Sequence, residues 1–212
     1  SIELVREPGW ASVRDKIVYG ELDAAHALVG LCFAISLGLG VRQRPALTGF
    51  LMNSNGDSIV ISSKLKGKDN QLLVNGRKLT FAVPHWFSSH HFLLRQWLQP
   101  KGVKEGRDYE IIVIPPPLMT ETLSQGYIDG YCVGEPYGSL AVSLGIGWMA
   151  KESADLSPMH PEKALLVTET FANEDQERHL KLIRVLNRSA KYCDTREGRE
   201  EQTPRQRGGC CP

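Results

Sequence analysis

Tyr19-Gly20-Glu21-Leu22-Asp23-Ala24-Ala25 and Gln125-Gly126-Tyr127-Ile128-Asp129-Gly130-Tyr131 are one device written twice. Each ends a helical stretch with a glycine, then sets an apolar residue and an aspartate before an apolar run. Glycine takes the left-handed conformation at a helix C-terminus without steric cost, so the chain can stop, turn and enter a strand. One copy in each half of a 212-residue chain fits two similar α/β lobes. Two unrelated helix-to-strand turns would give the same text.

Working outward, helix and strand signals alternate. Val13, Ile17 and Val18 fall at helical spacing over residues 12–19, and an apolar helix over 28–37 halts at Gly38-Leu39-Gly40. Further helices are expected over 88–98, 119–125, 135–144 and, as one long amphipathic element, 174–192. Strands are expected over 2–5, 24–27, 46–52, 58–62, 78–83, 109–114, 128–133, 148–150 and 164–168. This alternation predicts α/β layers around mostly parallel sheets.

Composition sets limits on function. Apolar content of 42% and charged content of 23% are those of a globular chain. A formal charge of +1 argues against a nucleic-acid binder. Apolar runs such as 24–33 are too short for a transmembrane segment. The five cysteines are odd in number and form no C-x-x-C pair, so neither a disulfide framework nor a zinc motif is signalled. Cys32 and Cys132, in apolar contexts, read as small buried hydrophobes. The opening Ser1-Ile2-Glu3-Leu4-Val5 lacks a signal peptide and reads as an incomplete start with the first strand missing. The Arg/Glu/Gln-rich text of 195–212 reads as a disordered tail.

No catalytic signature is present: no G-x-S-x-G elbow, no P-loop, no H-E-x-x-H and no dinucleotide fingerprint. No cofactor and no metal are expected. His90-His91 are adjacent on a helix and so point about 100° apart. The chain instead sets polar donors at the ends of strands, where open α/β sheets bind ligands. These are Trp10, the turn 53–57, Ser88-Ser89-His90 and Val133-Gly134-Glu135-Pro136. The alternative at the third is an N-cap at Ser89 and a solvated His90. His26, inside an apolar run, reads as a buried histidine rather than a ligand.

Several phrases together resemble the nitrate/bicarbonate-binding proteins of bacterial ABC importers. They include Trp10-Ala11-Ser12-Val13-Arg14-Asp15, Asn55-Gly56, Leu94-Arg95-Gln96-Trp97-Leu98 and Ile112-Val113-Ile114-Pro115-Pro116-Pro117. Asp129-Gly130-Tyr131-Cys132-Val133-Gly134-Glu135-Pro136 and His160-Pro161-Glu162-Lys163-Ala164 complete the set. The resemblance runs from the first residue to about Asp194. It implies a type II periplasmic-binding-protein-like fold, with 1–77 and 146–194 in one lobe and 78–145 in the other.

The resemblance further implies a small-anion ligand (nitrate, nitrite or bicarbonate) held by Trp10, Asn55, Gly56, Asp57, His90, Gly134, Glu135 and Lys163. Nitrate offers acceptors and no proton, so indole, imidazole, ammonium and backbone N–H groups suit it. Lys163 tilts the reading to nitrate or nitrite, because the bicarbonate branch carries an acid there. Asp57 departs from the pattern, standing where nitrate binders use an amide donor; its charge would suit a ligand with a proton to give. The implied role is anion capture by hinge closure for an ABC permease and ATPase, in the periplasm or tethered outside the cytoplasm. The runner-up is a cytoplasmic nitrate sensor that holds a regulatory protein, toward which the free cysteines lean. The thiamine-pyrimidine synthases share the fold, but their cysteine-rich motif is missing here.

Overall fold

The computed structural model describes residues 2–67, 72 and 76–195. Up to Glu169 these form one compact unit, and from Thr170 onward a second. The first unit holds two sheets. Strands β1 (Ala24–Leu28), β8 (Pro161–Thr168) and β2 (Ala46–Ser54) make a three-stranded sheet in the order β1-β8-β2. Strands β3 (Asp57–Ser62), β4 (Leu79–Val83), β5 (Tyr109–Val113), β6 (Gly130–Gly134) and β7 (Gly147–Glu152) make a five-stranded sheet in the order β5-β4-β6-β3-β7.

Both copies of the repeated device fold alike. Helix α1 (Trp10–Tyr19) ends at Gly20 with φ +78°, and α4 (Pro116–Gln125) ends at Gly126 with φ +80°. In each, the residue after the glycine donates its N–H back across the last turn, Glu21 to Lys16 O at 2.8 Å and Tyr127 to Thr122 O at 3.1 Å. The two aspartates then part company. Asp23 is exposed, whereas Asp129 is buried, accepts the Thr80 N–H at 2.8 Å and pairs with Arg77.

The sheets are not mostly parallel. Only β4 pairs in parallel, with β5 and β6; β3 runs antiparallel to β6 and β7, and β8 antiparallel to β1 and β2. The cause is the route of the chain. It passes from one sheet to the other after β2 and returns after β7, and each arriving strand (β3, then β8) inserts between two strands that run the other way.

The same route moves the expected boundaries. Grouping 1–77 with 146–194 assigns β3 and β7 to the first lobe, yet both pair in the five-stranded sheet. Every residue of β3 is buried. With period two, Ile59 and Ile61 enter a core with Phe81, Val83, Leu94 and Trp97 from α3 (Ser89–Leu98), while Val60 faces Met119, Leu123 and Tyr131 on the other side. A third core, Ile17, Ala27, Ile35, Ala164 and Leu166, joins α1 and α2 (Val29–Leu37) to the three-stranded sheet.

One further expectation is revised. Residues 2–5 form no strand, and Leu4 is 92% exposed, because no ladder receives them. The long helix expected over 174–192 is present as α8 (Gln176–Cys193), preceded by the short α7 (Glu169–Glu174). The break is chemical: the Asp175 carboxylate accepts the Arg178 N–H at 3.0 Å and caps α8. The remaining helices are α5 (Tyr137–Ser143) and α6 (Ser153–Leu156). The tail expected to be disordered lies, from residue 196, outside the described residues.

Two contacts of the segment between β4 and α3 generate predictions. A Cβ at Gly30 of α2 would stand 2.3 Å from the Phe87 carbonyl oxygen, so Gly30→Ala should cost roughly 1–3 kcal/mol in chemical denaturation, as overpacking does. His85 is buried, and its Nδ1 accepts the Phe87 N–H at 3.1 Å, which requires an unprotonated ring nitrogen. Burial, helped by the charge of Arg14, lowers its pKa to about 4. The unfolded chain binds this proton near pH 6.5 and the folded chain does not, so stability is full above pH 6.5 and falls as pH drops toward 4. His85→Gln should flatten that slope, by on the order of 2 kcal/mol across the window, in urea melts at stepped pH.

Candidate functional site

The site lies where the two crossing segments meet. Asn55, with φ +57°, donates its N–H to the His160 carbonyl at 3.0 Å, tying the start of β3 to the start of β8. Asp57 opens β3 opposite Gly134 of β6, and Ser153 Oγ accepts its backbone N–H at 3.2 Å. His90 stands in the first turn of α3 and is 1% exposed. Its Nε2 lies 3.0 Å from Asp57 Oδ1 and 3.6 Å from Glu162 Oε1. His160 Nε2 approaches Asp57 Oδ2 at 3.1 Å and Glu162 Oε2 at 3.8 Å. Lys163 pairs with Glu162, and its ammonium stands 5.6 Å from the centre of the Trp10 ring.

The expected residues therefore converge. Trp10, Asp57, His90, Gly134 and Lys163 lie along one run of contacts through Asp57 and Glu162, and Asn55 and Gly56 tie the adjoining turns together through the backbone. Gly56 O accepts the Glu135 N–H at 2.9 Å. Glu135 itself turns to other work: its carboxylate accepts the Ser139 N–H at 3.0 Å at the start of α5.

Other local expectations change. The N-cap of α3 is Ser88, not Ser89; the Ser89 hydroxyl donates to Glu162. As expected of helix neighbours, His91 points away from His90, with Nδ1 2.9 Å from Trp86 O. His26 is exposed rather than buried, its ring tilted against Trp10 with centroids 5.8 Å apart. Sequence reasoning missed His160 and Glu162. Their signal was present in His160-Pro161-Glu162-Lys163, a dense run of ionisable groups before the apolar stretch of β8.

Two carboxylates in so small a volume ionise differently. Burial alone would raise the Asp57 pKa, but His90, Lys163 and His160 outweigh it and hold the group down to about 2. Glu162 moves up, because burial and the neighbouring Asp57 charge exceed the pull of His90 and Lys163. The nitrogen donors thus already face carboxylates of the chain itself. A ligand here competes with those internal partners.

With this geometry in hand, residues 1–204 match the NMT1-like family. The chain belongs to that family. Its similarity to nitrate and bicarbonate transport proteins bears out the resemblance read from sequence. It is 34% identical over 210 residues to the nitrate import ATP-binding protein NrtC of Synechocystis sp., a match covering 94% of this chain and 31% of that protein. It is 32% identical over 203 residues to the bicarbonate transport ATP-binding protein CmpC of Synechococcus elongatus, covering 91% and 31%. Among solved structures, the periplasmic nitrate-binding protein NrtA from Synechocystis PCC 6803 superposes with a TM-score of 0.82 at 27% identity, covering 92% of this chain and 54% of that one. The chain thus spans about a third of the ATP-binding relatives and about half of the nitrate-binding structure. The fold is the two-lobed α/β type of the periplasmic binding proteins.

In this NMT1-like chain, Gly134 offers a clean probe of the locus. A Cβ there would meet Asp57 Oδ1 at 3.5 Å and His90 Nε2 at 3.9 Å, ordinary contact without strain. Gly134→Ala should leave the melting temperature within about 2 °C, a shift typical of less than 1 kcal/mol, by scanning calorimetry.

Proposed function

We propose that this chain is a binding protein, not an enzyme, that holds a small oxyanion for an ABC import system, with nitrate or nitrite as the first reading. The observation that carries this is the meeting of Trp10, His90, Gly134 and Lys163, from four separate elements, along one run of contacts through Asp57 and Glu162. Indole, imidazole and ammonium groups are donors, and a planar monoanion has only acceptors to offer them. The NrtC and NrtA relatives, named for nitrate, support the class of ligand. By the same likeness the protein works in the periplasm or tethered outside the cytoplasm, and hands its anion to a permease with its ATPase. Among the described residues no helix is long and apolar enough to cross a membrane. Closure of the two lobes around the anion is the expected response, since a ligand shifts such an equilibrium only by binding the closed form more tightly.

Asp57 favours a second reading, bicarbonate. It does not turn away from the locus but points into it, ionised, and an ionised carboxylate repels a bare anion by roughly 1–4 kcal/mol at contact. Bicarbonate carries a proton that such a carboxylate can accept in a hydrogen bond. CmpC, named for bicarbonate, is nearly as similar as NrtC.

Isothermal titration with nitrate, nitrite and bicarbonate decides between them. For a nitrate protein, Lys163→Glu should lower nitrate affinity at least tenfold, about 1.4 kcal/mol, and Asp57→Asn should raise it. For a bicarbonate protein, Asp57→Asn should instead abolish bicarbonate binding. Wild-type protein that takes up none of the three would overturn both readings.

A further inference from the structure

We infer that Asp57, His160 and Glu162 form a binding site for a divalent transition metal of the zinc class. The inference goes beyond the oxyanion reading and does not depend on it. The three groups come from different segments: the first residue of β3, the turn before β8, and the second residue of β8. Each offers one donor atom, and these atoms lie within 4.8 Å of one another. Zinc held tetrahedrally at bonds of about 2.0–2.1 Å needs donor atoms about 3.3 Å apart. His160 Nε2 stands 3.1 Å from Asp57 Oδ2 and 3.8 Å from Glu162 Oε2, so shifts of less than about an ångström would seat the ion.

Two further observations bear on the site. The His160 ring is fixed from behind, its Nδ1 3.0 Å from the Ser157 carbonyl, while its Nε2 faces Asp57 Oδ2 at 3.1 Å. A ring nitrogen held on a backbone carbonyl is how metal-bound histidines are oriented. Asp57 is 3% exposed, and its Oδ1 is buried without a hydrogen-bond partner.

The remaining contacts serve as an outer layer. Asp57 Oδ1, on the far side of the carboxylate, faces His90 Nε2 at 3.0 Å without making an aligned hydrogen bond. Glu162 accepts from the Ser89 hydroxyl and from Lys163, which hold it in place. Nitrogen and carboxylate donors together suit zinc, cobalt(II) or nickel(II), whereas calcium and magnesium take oxygen alone. Three protein ligands leave a coordination position for a water or an anion oxygen.

The test uses the full chain, stripped with a chelator and titrated with cobalt(II) chloride in the absence of any test anion. The expected result is one equivalent bound, with the visible absorption of a four-coordinate nitrogen-and-oxygen site, displaced by zinc(II). Asp57→Asn, His160→Gln and Glu162→Gln, each checked by circular dichroism, should weaken binding at least tenfold. His179→Gln, outside the cluster, should not. If a cluster variant fails to fold, the wild-type spectrum decides alone. A thiolate charge-transfer band, a six-coordinate aquo spectrum, or undiminished affinity in the folded cluster variants would overturn the inference. So would uptake of calcium without cobalt(II). Because no anion is present, failure here leaves the oxyanion reading to its own calorimetry.

Discussion

The first unit turns on a buried carboxylate. Asp57 is 3% exposed and ionised, and an isolated charge at that depth would be untenable. It survives because imidazoles reach it from two sides, His90 at the start of α3 and His160 in the turn before β8. The elements that bring them belong to different sheets, so the charge cannot be satisfied until both sheets are built. Removing one partner of such a buried set leaves the others exposed to the same penalty, of roughly 3–5 kcal/mol. Asp57 is therefore a constraint on the fold before it is a feature of any site.

Topology places this constraint where a ligand can use it. The two passages of the chain between sheets are stitched by the Asn55 N–H to the His160 carbonyl, and both open directly into ionisable residues, Asp57 on one strand and Glu162-Lys163 on the other. A ligand that displaces Asp57 or Glu162 from its partners alters the contacts that hold these passages together. Binding and the relative placement of β3 and β8 share the same hydrogen bonds. In a two-lobed binding protein, that sharing is how occupancy becomes a conformational signal, because only differential contacts in the two states can move the equilibrium.

Much of this was legible in the sequence, and what was not has identifiable causes. The repeated glycine turns were read correctly because a left-handed C-cap is a local property, fixed by the lack of a Cβ at Gly20 and Gly126. Strand direction was misread because direction is set by where the chain crosses, and nothing in 53–57 or 153–160 states that a crossing occurs there. Residues 2–5 carry strand-like text, but a strand needs a partner and text does not supply one. Trp10, His90, Gly134 and Lys163, picked out through motif resemblance, are brought near one another by the fold. His160 and Glu162 escaped because their importance is purely spatial: each meets Asp57 or its partners only after β8 has inserted between β1 and β2.

Lys163 shows why a single residue is a poor guide to the anion. In sequence it is a lone positive charge whose resemblance-based reading points to nitrate. In the folded chain its ammonium is shared with Glu162, which also accepts from Ser89, while Trp10 lies on its other side. The charge presented to a ligand is that of the whole group: Asp57, His90, His160, Glu162 and Lys163. An anion gains from Lys163 only to the extent that Glu162 gives it up, and it gains from His90 only against Asp57. If the locus takes an anion, its specificity is a competition between the ligand's acceptors and two built-in carboxylates. A proton or a metal ion changes the terms of that competition more than any exchange of one donor for another.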